Sequence, residues 1–473
     1  MGDLRVELYG ELVGTLVAAT GDFVAHDAAI KRFGLNSTIL SLAIPLGSPA
    51  TTASRQRARN FFSELLPEGD QREALARQAG LAEDDVVGLL RVYGRDVAGA
   101  LQIWDPESPG EPSTPALQPL SEADVRTLLE DVSRTPLGNK PADAHGRRGK
   151  TSLPGVQTKI VLVRTPDGWA QALDGYPSTH IVKPIVPRYP SMIFDEEYGS
   201  RFARRLQLAG FATTLEAFAG LTALVIERYD RSPDIPQNRV HQEDFNQVLG
   251  LSKNQKYERY APDRRRGLGE VASHLGRQDR RTLARMVVLS VALGNLDLHA
   301  KNISLLHLLD GRVELAPMYD VVPQTFQPND GEMAFSINGE FEHRLLTREH
   351  LVAELAGWGM RSPMQLISEV LVDARRIADE ERPHPAAHPG LQHVVIGIID
   401  NLLAGRAAGD DGSGTFHAPL RTERADRGGW AWANPVQDRA PVPESRPGEV
   451  WVGPHIRRGR KVDGHWRSRR RPS

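Results

Sequence analysis

The chain has 473 residues, a formal net charge of −2, 25% charged residues and no cysteine. That length holds two or three domains. The lack of cysteine excludes disulfides, thiolate nucleophiles and cysteine-based zinc sites, and the near-neutral balance gives the body no global polyanion-binding character.

The charge is uneven. From Arg406 onward fourteen Lys/Arg face eight Asp/Glu, a net of +6, which leaves −8 for the first 405 residues. Met1-Gly2-Asp3-Leu4-Arg5-Val6-Glu7-Leu8 has neither the basic start nor the long apolar core of a secretory leader. No apolar run approaches the ~20 residues that span a bilayer. A cytoplasmic protein without a membrane partner is expected.

Residues 1–104 read as a small α/β unit. Arg5–Tyr9 alternates like a strand, Gly10-Glu11 turns it into Leu12–Val17, and helical periodicity follows at Arg57–Leu66 and Glu73–Gln78. Residues 105–150 read as a linker with one short helix. Residues 105–120 are rich in Pro, Ser, Glu and Gly, Ser121 stands as an N-cap, and 134–151 are polar and expected to be mobile.

Residues 151–230 read as a kinase-like small lobe. Ile160–Val163 is an apolar strand turned by Pro166-Asp167-Gly168, and His180-Ile181-Val182-Lys183 is a second strand ending in a cation. Residues 191–210 are amphipathic, and Leu221–Glu227 is a further strand. Helical patterns dominate 231–405, the large lobe, apart from a hairpin at 303–316. Residues 406–473 are poor in aliphatics and rich in Gly, Pro and Arg, so a disordered basic tail is expected. Near its end Arg457, Arg458, Arg460, Lys461, Arg467, Arg469, Arg470 and Arg471 interleave with Trp451 and Trp466. Such a tail is either a solvated end or a salt-sensitive nucleic-acid contact.

The chemistry concentrates at 295–302, Asn-Leu-Asp-Leu-His-Ala-Lys-Asn. Asp297 and Asn302 have the spacing of the base and metal ligand of a kinase catalytic loop. An Asp310-Gly311 turn folds the next strand back, so Asn302 and Asp320 come side by side, where two oxygen ligands suit Mg²⁺. Asp297 would orient an attacking hydroxyl, and Lys301 would touch the transferring phosphate. His299 reads as a brace for the loop or a proton carrier.

The remaining parts of a phosphotransferase have candidates as well. The loop Ser152-Leu153-Pro154-Gly155-Val156-Gln157-Thr158-Lys159 would cradle phosphates with backbone amides around Gly155. Lys183 would supply the cation. Glu197, on the following helix, is placed to pair with it, although Glu196 beside it is hard to distinguish. Backbone groups near Glu227 and Tyr229 would take the adenine of ATP and Asp230 its ribose. Taken singly, each piece also fits an ordinary turn, strand end or solvated helix face.

Together these residues resemble the HipA family of bacterial type II toxin–antitoxin serine/threonine kinases, over roughly residues 5–405. The resemblance extends to Phe61–Gly69, Gly94–Leu101, Arg239–Asp244 and Lys256-Tyr257-Glu258. It implies an α/β (α+β), two-lobed protein-kinase-like fold with an added N-terminal α/β subdomain and a mostly helical C-lobe. It implies Asp297 as catalytic aspartate, Asn302 and Asp320 as magnesium ligands, and Lys183 on the ATP phosphates. Ser152 matches the family's autophosphorylated serine, where a phosphate would add about two negative charges and eject the loop. Pro154 replaces a usually small residue and stiffens that loop. Further implications are a target serine in an aminoacyl-tRNA synthetase of the glutamyl type, arrested translation and persistence. A HipB-like helix-turn-helix antitoxin is implied as partner, with operator DNA reached through it and a homodimer within that complex. Two other readings stand beside this one: a catalytically weak kinase-fold corepressor, and a kinase for a lipid or small-molecule hydroxyl.

Overall fold

The computed structural model describes residues 2–132, 134–139, 147–260, 267–411 and the strand segments 449–452, 455–457, 460–462 and 465–468. The chain divides into two units, 1–432 and 433–473. Among the described residues no helix is long and apolar enough to cross a membrane.

The first unit begins with the expected hairpin. Leu4–Leu8 and Glu11–Leu16 are joined at Tyr9 and Gly10, whose φ values of 55° and 80° belong to a tight primed turn. Period-2 alternation sends Leu4, Val6 and Leu8 into a core shared with Phe61, Phe62, Leu75, Leu89 and Leu90 of the helices Thr52–Ser63, Gly69–Ala79 and Val86–Tyr93. Phe23–Ala25 and Leu101–Trp104 complete a four-stranded sheet.

The small lobe is a six-stranded antiparallel sheet in the order Ala116–Leu120, Gly168–Leu173, Ile160–Thr165, His180–Pro184, Leu221–Glu227, Thr213–Phe218. Its first strand corrects the linker expected at 105–150. Ala116–Leu120 pairs residue for residue with Trp169–Leu173, and Val125, Leu128 and Leu129 of the helix Glu122–Glu130 pack onto Ile160, Leu162 and Val182. An edge strand containing Pro119 tolerates the missing donor, which is why the segment looked like a linker. Ser121 caps the helix as expected, in a capping box with Asp124. Of the stretch expected to be mobile, 140–146 lie outside the described residues. Its ends are anchored: Asn139 Nδ2 donates to Thr151 O at 2.7 Å, and Leu137 bridges to Ile160.

The large lobe is built on the helix Arg277–Leu293, whose last eleven residues include ten buried side chains. It packs against Pro363–Glu380 and Leu391–Leu403. The helix stops at Gly294, which has φ 65° and no room for a side chain: a Cβ there would lie 2.5 Å from Thr325 Cγ2. The catalytic loop starts at the next residue. Behind it Ser304–His307 pairs with Val313–Leu315 through the expected turn, with Gly311 at φ 84°, and on its other edge with His241–Asp244. A rigid helix end and a paired strand therefore fix both ends of the loop.

The end of the chain departs from the disorder expected over 406–473. The first unit stays packed through 411: Ala408 is buried, and Arg406 Nη2 donates to Asn401 Oδ1 at 2.7 Å. In the second unit, Glu449–Val452 pairs with His465–Ser468 and His455–Arg457 with Arg460–Val462. Alternating Val450, Val452, Ile456 and Val462 provide β-formers that the aliphatic-poor composition concealed. The expectation for 412–448 lies outside the described residues.

One buried carboxylate joins the subdomains. Asp96 Oδ1 accepts from Arg239 Nη1 at 2.7 Å and Arg231 Nη2 at 2.9 Å, and Arg228 Nη1 lies 3.9 Å from Oδ2. Burial alone would raise its pKa, but the three guanidinium groups outweigh burial and hold it well below the usual carboxylate range. Asp230 is likewise held down to about 2, with Arg228 and Arg231 overcoming burial. Both groups are more acidic folded than unfolded. Their stabilisation is therefore complete above the unfolded value of about 4 and is lost as pH falls through the folded values. The thermal midpoint should fall steeply below pH 4. At pH 7, Asp96→Asn should cost about 3–5 kcal/mol, because it strands buried arginines; denaturant melts of the two proteins test this.

Candidate active site

A cleft of about 220 Å³ opens between the lobes. Several stretches far apart in the chain bring its polar residues together. Lys183 comes from the end of the central strand His180–Pro184. Its Nζ donates to Glu196 Oε1 and Oε2 at 2.7 and 2.9 Å, and to Asp320 Oδ1 at 3.0 Å. The pairing with Glu197 expected from sequence is corrected. Glu196 is buried on the cleft side of the helix Met192–Arg205, whereas Glu197 pairs with Arg201 at 3.1 Å, one turn along. Helical phase decides between them, since neighbours on a helix differ by about 100°. Burial would lower the lysine's pKa, but Asp320 and Glu196 hold it above its usual value; burial also pushes Glu196 up to about 7.

Asn302 and Asp320 do come side by side. Asn302 Nδ2 donates to Asp297 O at 2.8 Å and lies 3.5 Å from Asp320 Oδ2. The amide nitrogen is thereby engaged, and the side-chain oxygen remains the acceptor. Asp320 takes φ 55°, in the left-handed region that few non-glycine residues adopt and that aspartate tolerates better than most. Asp297 accepts from Tyr257 Oη at 3.0 Å. Burial pushes its carboxyl up to about 7 against the pull of Lys256. A carboxylate poised near neutrality suits proton acceptance.

His299 is buried, its Nε2 is 4.0 Å from Asp297 Oδ2, and Tyr257 packs edge-on against its ring. Burial, together with the Lys256 charge, lowers its pKa to about 3, so the ring is neutral at pH 7. Lys301 differs from expectation. It is paired with Glu64 and with Glu68 Oε1 at 2.9 Å, both from the N-terminal subdomain. These carboxylates hold its pKa above the usual lysine value despite burial. No long-range pairing of this kind is readable from local spacing.

The phosphate loop supplies a cradle. Gly155 has φ 109°, and a Cβ there would sit 2.7 Å from Lys159 Nζ. Lys159 Nζ donates to Pro154 O at 2.6 Å, and burial beside Lys183 lowers its pKa to about 7. Gln157 lines the cleft with its buried Nε2 unpartnered among the described residues. Ser152, expected among the ATP contacts, is instead fully buried outside the cleft lining, its Oγ donating to Leu65 O at 2.9 Å. Apolar Leu153 carries the chain inward at this point.

At the far end, Tyr229 lines the cleft and stacks on Tyr319 at 5.5 Å. The Glu227 carboxylate is turned away to accept from Ala212 N at 3.1 Å, which leaves backbone groups for a base. The role expected for the Asp230 carboxylate is corrected: it accepts from Gly99 N at 2.7 Å and Arg228 Nη2 at 2.8 Å, and both oxygens serve the buried arginine network. Sequence reasoning gave no role to Glu64, Glu68, Lys256 or Tyr257, although all four lie in segments singled out as Phe61–Gly69 and Lys256-Tyr257-Glu258.

A lysine paired to a helix glutamate, an aspartate–asparagine catalytic loop and a returning aspartate, set between a sheet lobe and a helical lobe, define a protein kinase. Family models for the HipA N-terminal domain and the HipA-like C-terminal domain match residues 4–104 and 151–378. A putative kinase of Sinorhizobium fredii is 31% identical over 61% of this chain and 70% of its own length. The serine/threonine-protein kinase toxin HipA of Shewanella oneidensis is 29% identical over 80% of this chain and 86% of its own. A chain of the solved Shewanella oneidensis complex of HipA, HipB and operator DNA superposes with a TM-score of 0.67 at 26% identity, covering 85% of this chain and 96% of that one. The chain belongs to the HipA family.

The two neighbouring glutamates separate cleanly in an assay. Glu196→Gln should lower phosphate transfer at least about tenfold, the loss expected when a buried charge partner is removed. Glu197→Gln should stay close to wild type. Steady-state kinetics with both purified variants checks this.

Proposed function

We infer that this kinase is a HipA-like toxin that transfers the γ-phosphate of ATP to a serine of a protein, and that its target is an aminoacyl-tRNA synthetase of the glutamyl type. The observation that carries the reading is the convergence of Lys183, Asp297, Asn302 and Asp320 on one cleft. Asp297 accepts the serine proton as the serine oxygen bonds to phosphorus and the bond to ADP breaks. Lys183, held by Glu196 and Asp320, places its charge beside the ATP phosphates. The Gly155 amide region and Gln157 take phosphate oxygens, and Tyr229 packs against the base. Asn302 and Asp320 would hold Mg²⁺, which when bound neutralises phosphate charge. Blocked charging of tRNA would then stop translation and lead to growth arrest and persistence.

Ser152 is proposed as an autophosphorylation site. Its hydroxyl is sealed against Leu65 O, so modification requires the loop to leave that position first, and a phosphate of about −2 charge would prevent its return to a buried slot. The partner proposed is a HipB-like helix-turn-helix antitoxin, with operator DNA engaged through it and two copies of the kinase per complex. Support comes from the likeness to the HipA chain of the solved Shewanella oneidensis complex of HipA, HipB and operator DNA.

The test incubates the purified chain with ATP and Mg²⁺ beside Asp297→Asn, and records intact and peptide masses. One added phosphate on the peptide carrying Ser152, absent in the variant, is the expected outcome. No phosphate in either protein, with no nucleotide binding by calorimetry, would favour a non-enzymatic corepressor.

A further inference from the structure

The turn between the helices Thr52–Ser63 and Gly69–Ala79 reaches the reaction centre from outside both lobes. Its contacts go in two directions. Towards the small lobe, Leu65 O accepts from Ser152 Oγ at 2.9 Å, Glu68 N donates to Gly155 O at 3.1 Å, and Gln71 Nε2 donates to Lys159 O at 3.0 Å. These bonds fall at the beginning, middle and end of the phosphate loop. Towards the large lobe, Glu68 Oε1 is 2.9 Å from Lys301 Nζ and Oε2 is 3.0 Å from Lys256 Nζ, while Glu64 also pairs with Lys301. Lys256 and Lys301 are themselves built into the catalytic loop. Ala300 N donates to Lys256 O at 3.2 Å, and Tyr257, next to Lys256, donates to Asp297.

We propose that Glu68 is a positioning residue for phosphoryl transfer: its backbone N–H holds the phosphate loop and its carboxylate holds the catalytic loop, so one residue of the N-terminal subdomain sets the distance between donor and base. The inference rests on the kinase reading of the cleft and adds a part to it.

The physical case lies in the two kinds of bond. A hinge between lobes leaves their cleft edges free to rotate apart. A strut on the opposite side, bonded to both edges, removes that freedom, and near-attack geometry depends on it. Glu68 suits this task. Its carboxylate is 14% exposed and shared between two ammonium groups, which overcome burial and hold its pKa far below the usual range. It is therefore a fixed charge at any physiological pH. Together with Glu64 it neutralises Lys256 and Lys301, so neither lysine is drawn out of the loop by an incoming phosphate. Pro67 and Leu66, both buried, keep the turn from bending away.

Two readouts on the full-length chain test the proposal. In kinetics, Glu68→Gln should lower kcat at least tenfold with KM for ATP changed less than threefold, and Glu68→Asp should recover part of kcat. Lys256→Met added to Glu68→Gln should cost little more than either change alone. In hydrogen exchange, read without any turnover, Glu68→Gln should speed amide exchange in both 152–159 and 297–302 beyond any change in the helix Arg277–Leu293, which reports the stability of the lobe. Unchanged kcat, or faster exchange confined to one loop, overturns the strut. Additive losses in the Glu68 and Lys256 pair overturn it as well. If wild type transfers no phosphate while both loops respond in exchange, the kinase reading fails and the strut stands.

Discussion

The Asp96 carboxylate is the fixed point on which the assembly depends. It is buried among Arg228, Arg231 and Arg239, and the backbone carbonyl of the same residue holds the phosphate loop, with Ser152 N donating to Asp96 O at 3.0 Å. Four segments far apart in sequence meet there: the end of the N-terminal subdomain, the start of the phosphate loop, the strand that leads into the hinge, and the entry to the large lobe. A buried carboxylate with no partner would be expelled or protonated. The arginines depend on it in turn, Arg239 most directly, since Arg228 and Arg231 also share Asp230. The requirement is mutual, so these segments assemble together, and the cleft inherits its walls from that assembly.

The cleft itself follows a second rule, alternation of charge. Lys183 sits between Glu196 and Asp320, Lys301 between Glu64 and Glu68, and Lys256 on the other oxygen of Glu68. Lys159 is the exception, without a carboxylate partner at hydrogen-bond distance among the described residues and with a depressed pKa. An incoming triphosphate meets cations already placed in position, and Lys159 is the one whose charge gains most from it. Such preorganised electrostatics are the main resource of an enzyme for phosphoryl transfer.

The N-terminal subdomain is accordingly more than an appendage. Its turn at Glu64–Glu68 contributes side chains to the cleft, while its Tyr9 and Ser41 bond to the large lobe at His307 O and Glu243. Tyr9 also accepts from His241 N at 3.0 Å. Polar bonds at several buried points fix its orientation, where apolar packing alone would permit sliding.

Local sequence determined a large share of this protein. The hairpin at Tyr9-Gly10, the turn at Gly311, the cap at Ser121 and the Asp297–Asn302 spacing all depend on residues near each other along the chain, where backbone preferences act directly. The likeness of these motifs to the HipA family also carried the two-lobed fold and the central catalytic residues. Tertiary structure alone decided the rest. Glu196 rather than Glu197 meets Lys183, because the choice rests on the rotation of a helix against a sheet. Ala116–Leu120 joins the small lobe despite its linker-like composition, because edge pairing needs a neighbour rather than a propensity. Lys301 turns from the phosphate to Glu64 and Glu68, and Asp230 from a ribose to the arginines, because a buried charge takes whatever opposite charge the fold brings within reach. Glu64 and Glu68 lie more than two hundred residues from Lys301 in the chain, beyond any local pattern, whereas Arg228 and Arg231 flank Asp230 and only burial by the fold commits its carboxylate to them.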